Sequence, residues 1–189
     1  MKVFEKSLRQ IAEELEDTLS PKRAVPWKIV KEGDRNEYSF EVKKAKYSVF
    51  ISRVNFEGSR ARSYHQKNMF FLSFEDTTVL DDEGYGESGM TGKGNVAAVF
   101  STVLVILKYF ISNSSVKPTF IFSSEDSLRG TTRVRLYERF VKKTPNFIPG
   151  YEGKMIKYPE YEIAKFFIFP SDKKRNLSLN KHGRIWIRT

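Results

Sequence analysis

The stretch Gly84-Tyr85-Gly86-Glu87-Ser88-Gly89-Met90-Thr91-Gly92-Lys93-Gly94-Asn95 runs without a break into Val96-Ala97-Ala98-Val99-Phe100-Ser101-Thr102-Val103-Leu104-Val105-Ile106-Leu107-Lys108-Tyr109-Phe110-Ile111. How this junction is read decides the fold. The apolar run is interrupted by Ser101, Thr102 and Lys108 and falls short of the roughly 20 residues that span a bilayer, so it predicts a helix buried in a protein core. A glycine-rich turn lets backbone approach a ligand closely, and the first amides of a helix have no partner within it. With the helix dipole added, the junction is a candidate anion site, and phosphate is the obvious occupant. The common nucleotide motifs do not fit, because Gly89 to Gly94 has the first part of a phosphate loop but is followed by Asn95.

Upstream of this junction, the alternation Tyr38, Phe40, Val42 and then Tyr47, Val49, Ile51 has a period of two and predicts a β-hairpin turning at Lys44-Ala45-Lys46. A third strand is expected over residues 69–74, followed by an acidic, glycine-rich interruption over 75–94. Further back, Phe4, Leu8, Ile11, Ala12, Leu15 and Leu19 recur at helical spacing, which predicts an amphipathic helix over residues 2–19 ended at Ser20-Pro21. Downstream, the pattern predicts a strand at 119–123, a helix at 132–143, a strand at 162–169 and a last strand at 184–188, with a long loop at 145–159. The expected architecture is therefore a single α+β domain over residues 1–189. Its core spans 36–169 and consists of a mixed, mainly antiparallel sheet carrying the buried helix, with flanking helices.

Composition narrows the chemistry. The 189 residues include no cysteine, which excludes disulfides, thiolate zinc sites and a cysteine nucleophile. The two histidines, His65 and His182, stand far apart in polar surroundings, so no metal site is expected. Met1-Lys2-Val3-Phe4-Glu5-Lys6 opens directly into the amphipathic pattern, without the features of a secretory leader, so a cytoplasmic location is expected. Lysine and arginine exceed aspartate and glutamate by 33 to 23, a net charge of +10, which favours polyanionic partners.

In order of elements over about 37–169, and in Gly92-Lys93-Gly94 before the central helix, the chain resembles the GNAT superfamily of acyl-CoA-dependent N-acyltransferases. The resemblance implies that amides around Gly92, Lys93, Gly94 and Asn95 hold the pyrophosphate of acetyl-CoA or another acyl-CoA, which donates to an amine acceptor. Whether the third strand and the strand at Thr119 splay apart to leave a cofactor slot is the structural observation that bears on this reading; a closed slot favours a nucleic-acid-binding protein instead. Leu136-Tyr137 in the second helix matches a family Leu-Tyr, so Tyr137 would protonate the departing thiolate. Glu75 or Asp76 would accept the proton of the amine, with Glu125 and Asp126 as competitors. The motif is incomplete: Gly89 stands in place of the family's leading Gln or Arg, and Gly130 replaces an asparagine seven residues before Tyr137.

A second reading uses the cations. Arg129, Arg133, Arg135, Arg139, Lys142 and Lys143 crowd the second helix, and Arg60 and Arg62 lie in a basic loop. Arg135, Arg139 and Lys142/Lys143 fall on one helical face that can grip phosphates, while Tyr64, Tyr151 and Trp186 are candidates to stack on bases. This gives a non-catalytic nucleic-acid-binding protein, similar to small basic phage proteins. A protein-interaction or structural role is the third expectation.

Overall fold

The computed structural model describes residues 19–54, 68–80, 86–88, 96–125, 131–158, 163–171, 176–179 and 185–188. For 79, 80, 86–88, 125, 131–133, 176–179 and 185–188 it describes the backbone alone. The helix expected at the amino terminus lies outside these residues, except for its last position, Leu19.

The chain is an α+β protein built on a mixed, mainly antiparallel sheet. Strands β1 (Trp27–Lys31), β2 (Arg35–Val42), β3 (Ala45–Arg53) and β4 (Met69–Leu80) form an antiparallel meander. Helix α1 (Val96–Asn113) then crosses to β6 (Thr119–Glu125), which lies beside β4 and parallel to it. Helix α2 (Thr131–Lys142) and the single turn α3 (Thr144–Phe147) lead to β7 (Tyr151–Tyr158) and β8 (Ile163–Pro170). The strand order is β1-β2-β3-β4-β6-β8-β7, with the short β5 (Gly86–Ser88) paired onto β4. Among the described residues, strands β9 (Asn176–Leu179) and β10 (Ile185–Arg188) pair only with each other, so the expected last strand belongs to a two-stranded ribbon.

The buried helix stands where the apolar run predicted it and extends two residues further. By length and composition its 18 residues, mean hydropathy 1.8, are enough to cross a membrane, which corrects the expectation that it is too short; 61% of it is buried within the protein. The polar interruptions have partners. Ser101 Oγ accepts from the Ser20 amide at 3.3 Å, and Thr102 Oγ1 accepts from the Val25 amide at 2.9 Å while donating to the Ala98 carbonyl at 2.7 Å. Two hydroxyls thus tie the segment before β1 to the core helix, satisfying amides that burial would otherwise penalise.

Four further expectations change. The hairpin turn is the pair Lys43-Lys44, both at positive φ (48° and 71°), with Val42 opposite Ala45. A type I′ turn, with both central residues in that region, matches the twist of the strands, and this register keeps Tyr47 opposite Phe40 on the buried face. Strand β4 runs on through Glu75 and Asp76 to Leu80, because cross-strand bonds to β3 and β5 override the local acidity. The loop expected at 145–159 contains α3 and the whole of β7, whose Glu152, Lys154 and Lys157 occupy exposed positions. Strand β1 lies between Ser20-Pro21 and the hairpin, where the pattern predicts no element; its side chains from Lys28 to Lys31 are exposed and bury too little to leave a period.

Both helices cover one face of the sheet. Phe74 and Phe70 of β4 meet Phe100 and Phe110 of α1 at 5.9 and 5.2 Å between ring centroids, so α1 runs antiparallel to β4. Phe122 of β6 meets Tyr137 and Phe140 of α2. The other face carries a smaller apolar cluster of Val54, Met69, Ile121, Phe167 and Phe169. Hence Phe166, Phe167, Ile168 and Phe169 are all buried, as expected for a strand covered on both sides. Gly153 shows how closely α2 lies on β7: a Cβ there would stand 2.0 Å from the Val141 carbonyl oxygen.

Candidate functional site

The pairing of β4 with β6 defines the site. Their parallel ladder holds for three rungs, Met69 with Thr119, Phe70 with Phe120 and Phe71 with Ile121, and then stops, although β4 continues to Leu80 and β6 to Glu125. Past the fork, β6 stays paired to β8 through Glu125, and β4 stays paired to β3 through Asp76. The two strands therefore part, each held on its outer side. The β4 edge from Glu75 onward is taken by β5, which pairs at Glu75, Asp76 and Leu80. This leaves the edge of Leu72, Ser73 and Phe74 facing β6, a stretch of about 10 Å at strand spacing.

The slot opens on the carboxyl side of the three paired rungs of two parallel strands joined by a helix, the side on which open α/β arrangements bind ligands. Phe100, one turn inside α1, meets Phe74, so the amino end of α1 lies at the open end of the fork. Tyr137 bridges it. Its ring is 5.7 Å from Phe74 of β4 and 5.5 Å from Phe122 of β6, with Phe100 and Phe166 at 5.9 and 5.5 Å. All four contacts are edge-to-face, the favoured geometry for aromatic pairs.

Alternation along β4 separates the two candidate bases. Asp76 lies opposite Tyr47 on the helix face; it is buried, and its Oδ1 accepts from both the amide and the hydroxyl of Thr78. Thr78 Oγ1 in turn accepts from the Lys46 amide at 2.9 Å. Asp76 therefore has a structural task, holding the irregular stretch of β4 where β5 joins. Glu75 points to the opposite face, with Phe71 and Ser73, and is half-buried.

That face carries a pocket of about 120 Å³ against the fork. It is lined by Val54, Met69 and Phe71, by the consecutive residues Ile121, Phe122 and Ser123 of β6, and by Lys165 of β8. Met69, Phe71 and Ile121 belong to the paired rungs and Ser123 lies past the last of them, so the pocket sits where the ladder ends. Lys165 holds its ammonium 5.3 Å from the centroid of the Tyr158 ring. The buried Tyr158 hydroxyl has no hydrogen-bond partner among the described residues, and burial pushes its pKa up to about 12.

The remaining sequence candidates divide. Gly92, Lys93, Gly94 and Asn95, with Arg60, Arg62, Arg129, Asp126, Tyr64 and both histidines, lie outside the described residues, as do the side chains of Glu125, Arg133 and Trp186. On α2, Arg135 and Lys142 are exposed and Arg139 is half-buried. Glu138 interrupts that face and holds Lys142 at 2.9 Å. Tyr151, a candidate for stacking on bases, is buried where β7 begins and takes part in the core. Sequence reasoning missed Lys165, Ser123, Phe71 and Tyr158. One signal was present: Lys165 is the lone charge in Ile163-Ala164-Lys165-Phe166-Phe167-Ile168-Phe169.

No family model matches the chain, and no curated protein and no solved structure matches it either.

Proposed function

We propose that this protein is an acyl-CoA-dependent N-acyltransferase of GNAT-like kind, or a relative that keeps the fold after losing part of the chemistry. The observation that carries the reading is the fork: a three-rung parallel ladder opening into a slot, with Tyr137 across it and the start of α1 at its open end.

The slot suits the group. Its walls are apolar and aromatic, and the free β4 edge at Leu72–Phe74 offers backbone donors and acceptors to an extended polar chain. An acyl-CoA, when bound, supplies an activated thioester carbonyl and a thiolate leaving group. The amides around Gly92, Lys93, Gly94 and Asn95, next to the amino end of α1, would hold its pyrophosphate. As the amine nitrogen bonds to the thioester carbonyl carbon and the C–S bond breaks, Tyr137 would donate its phenolic proton to the leaving sulfur. Glu75 takes the proton of the amine, directly or through water; it faces the pocket side of the fork, whereas Asp76 is engaged with Thr78. An intracellular supply of acyl-CoA makes the cytoplasm the natural place of action.

The cationic face of α2 gives weaker support to nucleic-acid binding, since Glu138 lies within it and neutralises Lys142. Titration calorimetry with acetyl-CoA is the direct test, and saturable binding is the expected result. Absence of heat at high micromolar ligand would overturn the enzyme reading. A salt-sensitive gel shift in that same preparation would pass the assignment to the nucleic-acid alternative.

A further inference from the structure

We propose that the pocket at the foot of the β4–β6 fork binds a small carboxylate bearing a compact, branched apolar group, with the apolar end against Val54, Met69, Phe71 and Ile121 and the carboxylate on Lys165. The site needs neither acyl-CoA nor the chemistry proposed above. Joined to that reading, and resting on it in this respect alone, it makes the acceptor an amine of amino-acid type.

The position of Lys165 is the first argument. Strand β8 lies inside the sheet, between β6 and β7, and Lys165 stands between Ser123 and Ile156 in the cross-strand register. By alternation Lys165 lies on the face away from the helices, with the buried Phe167 and Phe169 and the exposed Ser123, where its ammonium must stay hydrated or be paired. Lys165 is half-buried and makes no ion pair with a described residue; its one aromatic contact is Tyr158. An ammonium beside an apolar pocket, with no carboxylate among the described lining residues, offers an anion both charge and hydrogen bonds.

Size and polarity supply the second. An apolar cavity of about 150 Å³ holds a six-carbon ring, so a pocket of about 120 Å³ suits a compact group of about four or five carbons such as an isobutyl side chain. Four of the seven lining residues are large aliphatic or aromatic side chains on the face away from the helices, and the polar lining is limited to Ser123 and Lys165. Apolar walls with few convergent polar groups are the usual composition of a small-ligand site. Phe71, half exposed at the edge, leaves the pocket open to solvent, and Ser123 Oγ can donate to a second carboxylate oxygen.

The test uses the full chain without acyl-CoA and follows the Met69 methyl resonance by NMR during titration with isovalerate, leucine and, as a cationic isostere, isopentylamine. Isovalerate and leucine are expected to shift the methyl saturably, and the amine to leave it unmoved. Lys165→Met, which keeps the side-chain length, should weaken carboxylate binding at least about tenfold, while Lys165→Arg retains it. Phe71→Ala, at a half-exposed position with little folding risk, should also weaken it. The proposal is overturned if no carboxylate shifts the methyl at about 10 mM, if the amine binds equally well, or if Lys165→Met binds isovalerate as the parent does. Because acetyl-CoA is absent, a failure here leaves the calorimetric test of acyl transfer unaffected, and the reverse also holds.

Discussion

Tyr137 has two properties that substitution separates. Its ring fills the junction of β4, α1, β6 and β8, and its hydroxyl is the acid of the proposed reaction. Tyr137→Phe keeps the ring, so thermal unfolding should show a loss of no more than about 1.5 kcal/mol. Acyl transfer, measured as release of free thiol, should fall by about 10²- to 10⁴-fold in the same variant. Tyr137→Ala opens a cavity among four aromatic rings and should cost about 3–5 kcal/mol. Equal turnover in Tyr137→Phe and the parent would remove the acid role and leave only packing. At this scale the sequence was partly legible: Leu136-Tyr137 marked the residue, but not its place across the fork, since ring contacts to Phe74, Phe122 and Phe166 join positions far apart in the chain.

At the scale of elements, α1 is held by more than its apolar surface. Thr102 Oγ1 accepts from the Val25 amide while donating to the Ala98 carbonyl, and so connects the core helix to the segment that enters β1. Thr102→Val preserves shape but leaves the Val25 N–H unpaired, which should cost about 1–3 kcal/mol in urea unfolding, whereas Thr102→Ser should recover most of it. If Thr102→Val unfolds at the parent's urea midpoint, water satisfies that amide and the hydroxyl is dispensable. The strands illustrate how far local pattern reaches. Tyr38, Phe40 and Val42 face one side and are buried there, so β2 and β3 were legible. β7 was not, because Gly153 stands where only a residue without a side chain clears Val141, and an isolated glycine in a polar stretch reads as a loop.

For the whole molecule, pH resolves part of the stability. Burial and the nearby Glu32 and Tyr109 push Tyr38 up to about 12, and burial pushes Tyr158 to about the same value, both from an ordinary value of 10.0. Their neutral forms are favoured by folding, so this contribution is complete below about pH 10. It is lost as pH rises through 10 to 12, where the unfolded chain ionises first. Urea midpoints between pH 8 and pH 12 should decline in the parent and decline less in Tyr38→Phe/Tyr158→Phe; identical slopes would assign the loss to other groups. The sequence by itself determined the α+β class, the buried helix behind the glycine-rich stretch, the first hairpin and the basic charge, because each is written in a local period or in composition. Only the tertiary structure decided that β4 and β6 are parallel neighbours that part after three rungs, and that Lys165 stands beside the resulting pocket. Strand pairing is a contact between segments separated by the whole of α1. No periodicity within either strand records where its partner begins or stops.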